Sequence, residues 1–419
     1  MMKRLIALLV ASLLLVGCYD KNSYEEPVAP VQTLLMYFPW SGNSSTSSGL
    51  LSHFRTNISD MEEVIRYGMP EGCRVLVYLV ERVDQPTASD PQQKALQGTL
   101  FELKGGGGRV ERVVHKTYAE PDMTTASAIT ALWQDVKAIA PAPHYAMTIG
   151  CHGMGWIPAT STLALNRAGG AHEREYWEHE GVEQTRWFGG MEAAYQTEIP
   201  TLAQAIADAG IKLDYILFDD CYMSSVEVAY ELRNVADYLI GSTSEIMAEG
   251  FPYTEIGLLL LGEADYAGIC ESFYQYYMER PSYPCGTVAV TVTRELEALA
   301  EVMKRINAVC EPISEQKLYR VQVLDGYNPC RFYDLGDYVA HYCADADLLA
   351  EFEAQLERAV PEAYQRHTPT FYSMNGGNIP DRPGETWINT FSGITTSDPS
   401  RSSAVVAARE QTAWWQATH

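Results

Sequence analysis

Short apolar runs alternate with amphipathic segments along much of the chain. Six runs have the composition of strands buried in a parallel sheet: Thr33–Phe38, Arg74–Val80, Tyr145–Cys151, Tyr215–Phe218, Tyr238–Gly241 and Thr287–Thr293. Helical patterns lie between them, in Leu50–Tyr67, Thr124–Ala140, Ile199–Ala209 and Tyr266–Met278. This alternation predicts an α/β domain over residues 32–293 with a mostly parallel six-stranded sheet.

The pattern changes after residue 293, where helical segments dominate. They are Glu295–Cys310, Asp334–Tyr342 and Asp345–Arg366. Pro361 is expected to kink the last of them, because proline removes a helix hydrogen bond. Residues 294–419 are therefore predicted to form a mainly helical C-terminal subdomain.

Residues 1–17 have the pattern of a lipoprotein signal peptide. Lys3 and Arg4 precede Leu5–Val16, an apolar run too short to span a bilayer comfortably. Leu15-Val16-Gly17-Cys18 has the form of a lipobox, where the chain is cut before the cysteine and lipid is attached to it. Residues 18–31 are polar and predict a tether. We expect the protein to be anchored in the cell envelope through Cys18 and to lie outside the cytoplasm; an ordinary signal peptide is the alternative.

The chain is strongly acidic, with 54 Asp and Glu against 30 Lys and Arg, and its formal net charge is −24. This charge argues against nucleic acid as a partner and suits basic substrates. The nine cysteines are irregularly spaced and do not predict a disulfide framework. No zinc-like Cys/His spacing occurs, so the sequence predicts no metal site and requires no cofactor.

Two turns that follow apolar runs carry the candidate chemistry. Cys221 follows Tyr215–Phe218 and Asp219-Asp220, and Met223–Leu232 is predicted to be the next helix. Cys151-His152-Gly153 ends another predicted strand. Ligands of open α/β sheets bind at the carboxyl ends of strands, so the two turns can meet at one edge. A buried structural cysteine and a solvated histidine are the alternative.

The protonation of the Cys221 thiol depends on opposing effects. Asp219 and Asp220 would raise its pKa, whereas the start of the following helix and a nearby imidazolium would lower it. We expect the lowering effects to prevail if the carboxylates point away. Imidazole is also the usual base for a nucleophilic thiol.

The two turns resemble motifs of the clostripain family of cysteine peptidases, namely His152-Gly153-Met154-Gly155-Trp156 and Asp219-Asp220-Cys221. Thr412-Ala413-Trp414-Trp415 and Ser244-Glu245 are also similar to that family. The resemblance extends from about residue 31 onward. It implies a caspase-like three-layer sandwich and thiol-dependent peptide cleavage, and it admits Ca²⁺ as a cofactor. The family's first strand usually ends in Asp-Asn, whereas residues 40–43 here read WSGN.

Together, the placement and the resemblance predict a catalytic dyad of His152 and Cys221. Cys221 would attack the peptide carbonyl, and His152 would take the thiol proton and protonate the leaving amine. The backbone N–H groups of Gly153 and Cys221 are the predicted oxyanion donors, since glycine lets a backbone approach closely.

Asp219 is the candidate residue for substrate recognition. It precedes the nucleophile by two positions, so its carboxylate can line a pocket beside Cys221, while Asp220 points to the opposite face. The resemblance gives the matching aspartate the role of binding arginine or lysine. We therefore expect cleavage after basic residues of peptide or protein substrates, with helix capping by Asp219 as the alternative.

A long insertion, residues 157–190, separates the two catalytic candidates and contains Arg167, Arg174 and Arg186. Members of the family are often matured by a cut between the catalytic residues. The insertion is therefore a candidate processing site, with an intact lid as the alternative.

Two other classes of function stay open at this point. A surface lipoprotein could bind peptide or glycan without cleaving it, and Cys221 would then be inert and buried. A glycosidase with paired carboxylates fits the many acidic residues, but no motif supports it.

Overall fold

A computed structural model describes residues 28–40, 50–87, 90, 93–157, 188–189, 195–280 and 284–419. The predicted signal peptide, Cys18 and most of the tether lie outside the described residues. So do residues 158–187 and 190 of the candidate processing loop, including its three arginines. Within the described ranges, no helix has the length and apolar character needed to cross a membrane.

The strands include all six predicted apolar runs, with bounds shifted by a few residues. They are β1 Gln32–Phe38, β2 Cys73–Asp84, β3 Lys94–Gly106, β4 Arg109–Ala119, β5 His144–Gly150, β6 His152–Gly153, β7 Phe188–Gly189, β8 Gln196–Thr197, β9 Leu213–Asp219, β10 Ala236–Gly241, β11 Thr287–Val292, β12 Tyr333–Asp334, β13 Gln365–His367, β14 Thr370–Tyr372, β15 Glu385–Trp387 and β16 Thr395–Thr396.

The main sheet within the described residues has nine strands in the order β13-β11-β10-β9-β5-β1-β2-β3-β4. Its centre, from β10 to β2, is parallel. Both edges are antiparallel: β11 and β13 on one side, and the β3–β4 hairpin on the other. The sheet is therefore wider than the six predicted strands and less parallel at its edges, because an apolar run indicates burial but not strand direction.

The helices cover both faces of the sheet. They are α1 Leu51–Ile65, α2 Ala126–Ile139, α3 Ile199–Asp208, α4 Val226–Leu232, α5 Tyr253–Ile256, α6 Tyr266–Met278, α7 Leu296–Val309, α8 Glu315–Leu318, α9 Leu335–Tyr342, α10 Ala346–Ala359, α11 Ser403–Val406 and α12 Ala413–Thr418, with 3-10 helices at Thr293–Glu295, Glu362–Tyr364 and Arg409–Gln411.

Successive residues of the central strands face two different cores. In β9, Ile216 and Phe218 pack into the core shared with α2, α3, α4 and α7, whereas Tyr215 and Leu217 face α1, α5 and α6. This alternation follows from the two-residue period of a strand. The predicted three-layer α/β sandwich is thereby confirmed.

The end of α10 differs from the prediction. The helix stops at Ala359, and Pro361 ends it instead of kinking it, because the proline can neither donate a hydrogen bond nor accommodate the preceding turn. The chain then forms β13, which pairs antiparallel with β11. Residues of the predicted C-terminal subdomain thus complete an edge of the main sheet, and the boundary at residue 293 stays a prediction.

Candidate active site

The pairing of β5 with β9 sets the geometry of the site. These parallel neighbours align Met147 with Ile216 and Gly150 with Asp219. Both strands end at this last pair, and His152 and Cys221 each follow two residues later along the chain. His152 and Cys221 both line one small pocket at this edge of the sheet. The structure therefore brings together the two predicted catalytic side chains.

Gly153 lies directly against the turn that carries Cys221. A Cβ atom at position 153 would be 2.6 Å from the Asp220 Cβ, 2.7 Å from the Cys221 carbonyl oxygen and 3.0 Å from the Cys221 nitrogen. No side chain fits there without displacing one of the two turns. The absence of a Cβ is thus what allows the His152-Gly153 backbone to reach the backbone of Cys221.

The residues after β10 hold the thiol from another direction. The Ile246 N–H donates to the Cys221 Sγ over 3.3 Å, and the Tyr222 N–H donates to the Ser244 carbonyl over 3.0 Å. The sequence singled out Ser244-Glu245 only as a family-like pair without a role. This hydrogen bond comes from the Ile246 backbone and does not depend on the residue type at position 246, so the sequence did not predict it.

The prediction that a helix starts at Met223 is wrong. The related prediction that the start of this helix lowers the pKa of Cys221 is wrong as well. Helix α4 begins only at Val226, and the Ser225 side chain caps it by accepting a hydrogen bond from the Val228 N–H. The dipole effect fades within the first turn, so Cys221 lies too far from the helix start to benefit. Ser225 also fills the cap position that was the alternative role for Asp219.

The expected lowering of the thiol pKa is not observed. Burial raises the pKa of Cys221 well above its ordinary value, and the charge of Glu245 raises it further. Asp220 and Asp219 act in the same direction, while the hydrogen bond from Ile246 lowers the pKa. Cys221 is 8% exposed and His152 7%, so desolvation outweighs the favourable hydrogen bond. In this arrangement the thiol holds its proton at neutral pH.

Asp219 is buried beside Cys221 and lines the same pocket. Its Oδ1 accepts a hydrogen bond from the Phe251 N–H over 3.0 Å. A Cβ at Gly250 would be 2.4 Å from that oxygen, so the carboxylate rests directly on the glycine backbone. Burial raises the pKa of Asp219 to about 7, although the Phe251 hydrogen bond opposes the shift.

Asp220 makes contacts on the opposite side from Asp219, as expected for successive residues. Its Oδ1 accepts a hydrogen bond from the Cys151 N–H over 2.7 Å. Burial and the neighbouring Asp219 raise the pKa of Asp220 well above its usual range. Asp220 therefore ties the two turns together through its carboxyl group.

The loop after β1 reaches the site through Trp40. Its ring centroid is 5.1 Å from that of His152, with an angle of 52° between the planes. Residues 41–43 lie outside the described part of the chain. The cavity beside Cys221 measures only about 20 Å³. A long substrate side chain therefore requires its walls to move.

Among the described residues, no three His, Cys, Asp or Glu side chains are grouped so that they could hold a metal ion. The chemistry considered below uses only side chains and backbone groups of the protein.

Comparison with protein families identifies the relationship. The model of the clostripain family matches residues 50–355, which is well over half of the chain. The chain belongs to the clostripain family. It is therefore a cysteine peptidase, a hydrolase of peptide bonds, and the reading as a non-catalytic binding protein is set aside.

Solved structures extend the clostripain-family assignment to nearly the whole chain. A secreted C11 cysteine protease from Bacteroides thetaiotaomicron, iotapain, is 46% identical over 94% of this chain and 100% of its own, with a TM-score of 0.79. An inactive zymogen C11 protease from Parabacteroides distasonis is 28% identical over 94% of this chain and 99% of its own, with a TM-score of 0.71. These matches confirm the predicted caspase-like fold.

A clostripain from Bacteroides thetaiotaomicron ATCC 29148, in complex with the peptide inhibitor BTN-VLTK-AOMK, is 54% identical to this peptidase. It matches 56% of this chain and 99% of its own, with a TM-score of 0.52. A comparison with curated proteins gave no match.

The close approach of Gly153 to Cys221 yields a first prediction. Gly153→Ala should lower kcat by about 100-fold or more, because the added Cβ would push the Gly153 backbone, whose N–H is a predicted oxyanion donor, away from Cys221. Hydrolysis of a lysine peptide and the melting temperature should be measured together. Gly107→Ala is the control, since its Cβ meets nothing within 4 Å; any cost of its positive φ of +61° should appear in the melting temperature and not in kcat. Full activity of the Gly153 variant would contradict the proposed contact.

Proposed function

We propose that this peptidase is an endopeptidase that cleaves after arginine or lysine through a dyad of His152 and Cys221. The observation that carries the proposal is the contact between the two turns, where Gly153 lies against the backbone of Cys221. The shared pocket and the β5–β9 register support the same pairing.

The raised pKa of Cys221 supports the proposal that His152 acts as a general base. The neutral imidazole takes the thiol proton as Sγ attacks the peptide carbonyl carbon. The N–H groups of Gly153 and Cys221 stabilise the negative charge that develops on the carbonyl oxygen. Collapse of this intermediate breaks the peptide bond, and the imidazolium gives its proton to the leaving amine. Water then attacks the thioester with His152 as base, which releases the acid and restores the thiol.

Asp219 supplies the basis for basic specificity. A substrate guanidinium or ammonium group would replace part of the solvation that the buried carboxylate has lost, and charged hydrogen bonds are stronger than neutral ones. The 54% identical clostripain was solved with an inhibitor whose peptide, VLTK, ends in lysine. The acidic chain, with a net charge of −24, also favours approach of cationic substrates.

The N-terminal sequence and one relative support the proposed cellular location. The lipobox at Leu15-Val16-Gly17-Cys18 supports export and lipid attachment. The 46% identical protease is described as secreted, which agrees with a position outside the cytoplasm. We include in the proposal that Cys18 anchors this peptidase to a membrane of the cell envelope.

The dyad is tested by alanine variants. Cys221→Ala and His152→Ala should each reduce hydrolysis at least roughly 1000-fold, and the double variant should lose little more, because members of one catalytic unit are not additive. Cys270→Ala, which removes a buried thiol from α6, should keep the wild-type rate. Substantial turnover by purified Cys221→Ala would refute the assignment.

The role of Asp219 is tested by comparing substrates with arginine and with its neutral isostere citrulline at the cleavage site. The ratio of their kcat/KM values cancels effects on the dyad. Because the pKa of Asp219 is about 7, its carboxylate is neutral at lower pH. The ratio should fall as pH drops below about 7 and level off above it.

Asp219→Asn should lower kcat/KM for the arginine substrate at least about tenfold, a loss of about 1.4 kcal/mol, and flatten the pH dependence of the ratio. Asp220→Asn is the matched control, since its contacts lie on the other side and the ratio should persist. A wild-type preference for apolar or acidic residues would rule out this role of Asp219 and leave the dyad unaffected.

Lipid attachment is tested by mass spectrometry of the membrane fraction. The mature protein should begin at Cys18 and carry the mass of attached acyl chains, and no peptide from residues 1–17 should persist. Cys18→Ala should leave the precursor uncut or release a protein without lipid. A soluble wild-type protein that begins elsewhere would show that the lipobox is not used.

A further inference from the structure

Three consecutive residues contact the nucleophile and the residue after it. The Ser244 carbonyl accepts from the Tyr222 N–H, and the Ile246 N–H donates to the Cys221 Sγ. Between them, the Glu245 carboxylate accepts a 2.7 Å hydrogen bond from the Tyr222 hydroxyl. One tripeptide therefore holds the Cys221-Tyr222 pair at its backbone, its thiol and its aromatic side chain.

Tyr222 has a backbone conformation that needs such support. Its φ is +62°, in the left-handed region that residues other than glycine rarely adopt. The ring is buried and stacks on Phe332 with centroids 4.9 Å apart. A change in the Tyr222 backbone would move the peptide that joins it to Cys221, and with it the direction of the thiol.

Glu245 is itself firmly held. Its Oε1 also accepts hydrogen bonds from the Ser373 hydroxyl at 2.6 Å and from the Met374 N–H at 3.1 Å. The side chain is 4% exposed, and burial raises its pKa. The carboxylate thus connects the nucleophile turn to a segment about 150 residues further along the chain.

We infer that Glu245 is a positioning residue, which fixes the orientation of the Cys221 thiol by holding Tyr222 through its hydroxyl group. The inference rests on the proposed role of Cys221 as nucleophile. This role of Glu245 does not include promoting ionisation of the thiol, because the charge of Glu245 raises the pKa of Cys221 and so disfavours the thiolate. The benefit of the carboxylate for the reaction is geometric.

A purely structural role would be to dock residues 373–374 onto the domain. The two roles can be separated, because Tyr222 and Ser373 donate hydroxyl groups to the same carboxylate oxygen. Tyr222→Phe removes the bond on the side of the nucleophile, and Ser373→Ala removes the bond on the side of the docked segment. In each variant, the Glu245 Oε1 keeps its other hydrogen-bond donors.

The experiment measures kcat, KM, melting temperature and the rate of Cys221 alkylation by iodoacetamide, read by mass spectrometry. Tyr222→Phe should lower kcat about tenfold, with KM changed less than about twofold and with slower alkylation, as expected for one aligned hydrogen bond. Ser373→Ala should lower kcat less than about threefold at a comparable melting temperature. Equal losses of kcat in both variants, in proportion to lost stability, would overturn the inference.

Glu245→Gln gives a second test that does not depend on the Tyr222 variant. It removes the charge but keeps a carbonyl oxygen that can accept from the Tyr222 hydroxyl, so the pH midpoint of Cys221 alkylation should move down while kcat stays within about threefold of wild type. Glu245→Ala removes the acceptor and should lower kcat about tenfold. Equal kcat values in Glu245→Gln and Glu245→Ala would overturn the inference, as would an unchanged kcat in Tyr222→Phe. Turnover by Cys221→Ala would instead show that the proposed nucleophile is wrong, so the two failures are distinguishable.

Discussion

The site depends on the parallel pairing of β5 with β9. Parallel neighbours end on the same edge of a sheet, so two turns separated by 69 residues meet there. The register is fixed by burial on both faces, since a slip by one residue would exchange the side chains of the two cores. The same constraint that orders the cores therefore places the turns after these two strands side by side. Beyond the strand ends, the Cys151 N–H donates a 2.7 Å hydrogen bond to the Asp220 carboxyl group, which joins the two turns.

Burial of this edge of the sheet changes the pKa values of the ionisable groups that lie there. It raises the pKa values of Asp219, Asp220 and Cys221 together, because all three lose water and the carboxylates repel one another. In the proposed mechanism, a protonated thiol needs a base within reach, and Asp219, with a pKa of about 7, would gain charge when a cationic side chain enters the pocket. The cavity beside these groups measures about 20 Å³.

The sequence contained enough information for the three layers, the central strands and the two turns, because each apolar run reports burial directly. Strand direction at the edges depends on long-range pairing, which is why the antiparallel β11 and the three residues of β13 could not be read from composition. The late start of α4 had a readable signal, since Ser225 is a good N-cap residue, but the apolar Met223 suggested an earlier start. Backbone contacts such as Ile246 to Cys221 have no residue signature at all.

Residues beyond the matched family region also belong to the support of the site. The Trp156 indole, which ends the His152 motif, donates to the Ser397 hydroxyl over 2.9 Å. The Thr395 N–H donates to the Ser224 carbonyl over 3.0 Å, three residues after Cys221. One short segment near residue 396 therefore contacts the chain just after His152 and just after Cys221, and it lies after residue 355, where the family match ends. A common partner of this kind links the two turns to each other. The geometry of the proposed dyad therefore depends on elements as far apart in the sequence as β5 and β16.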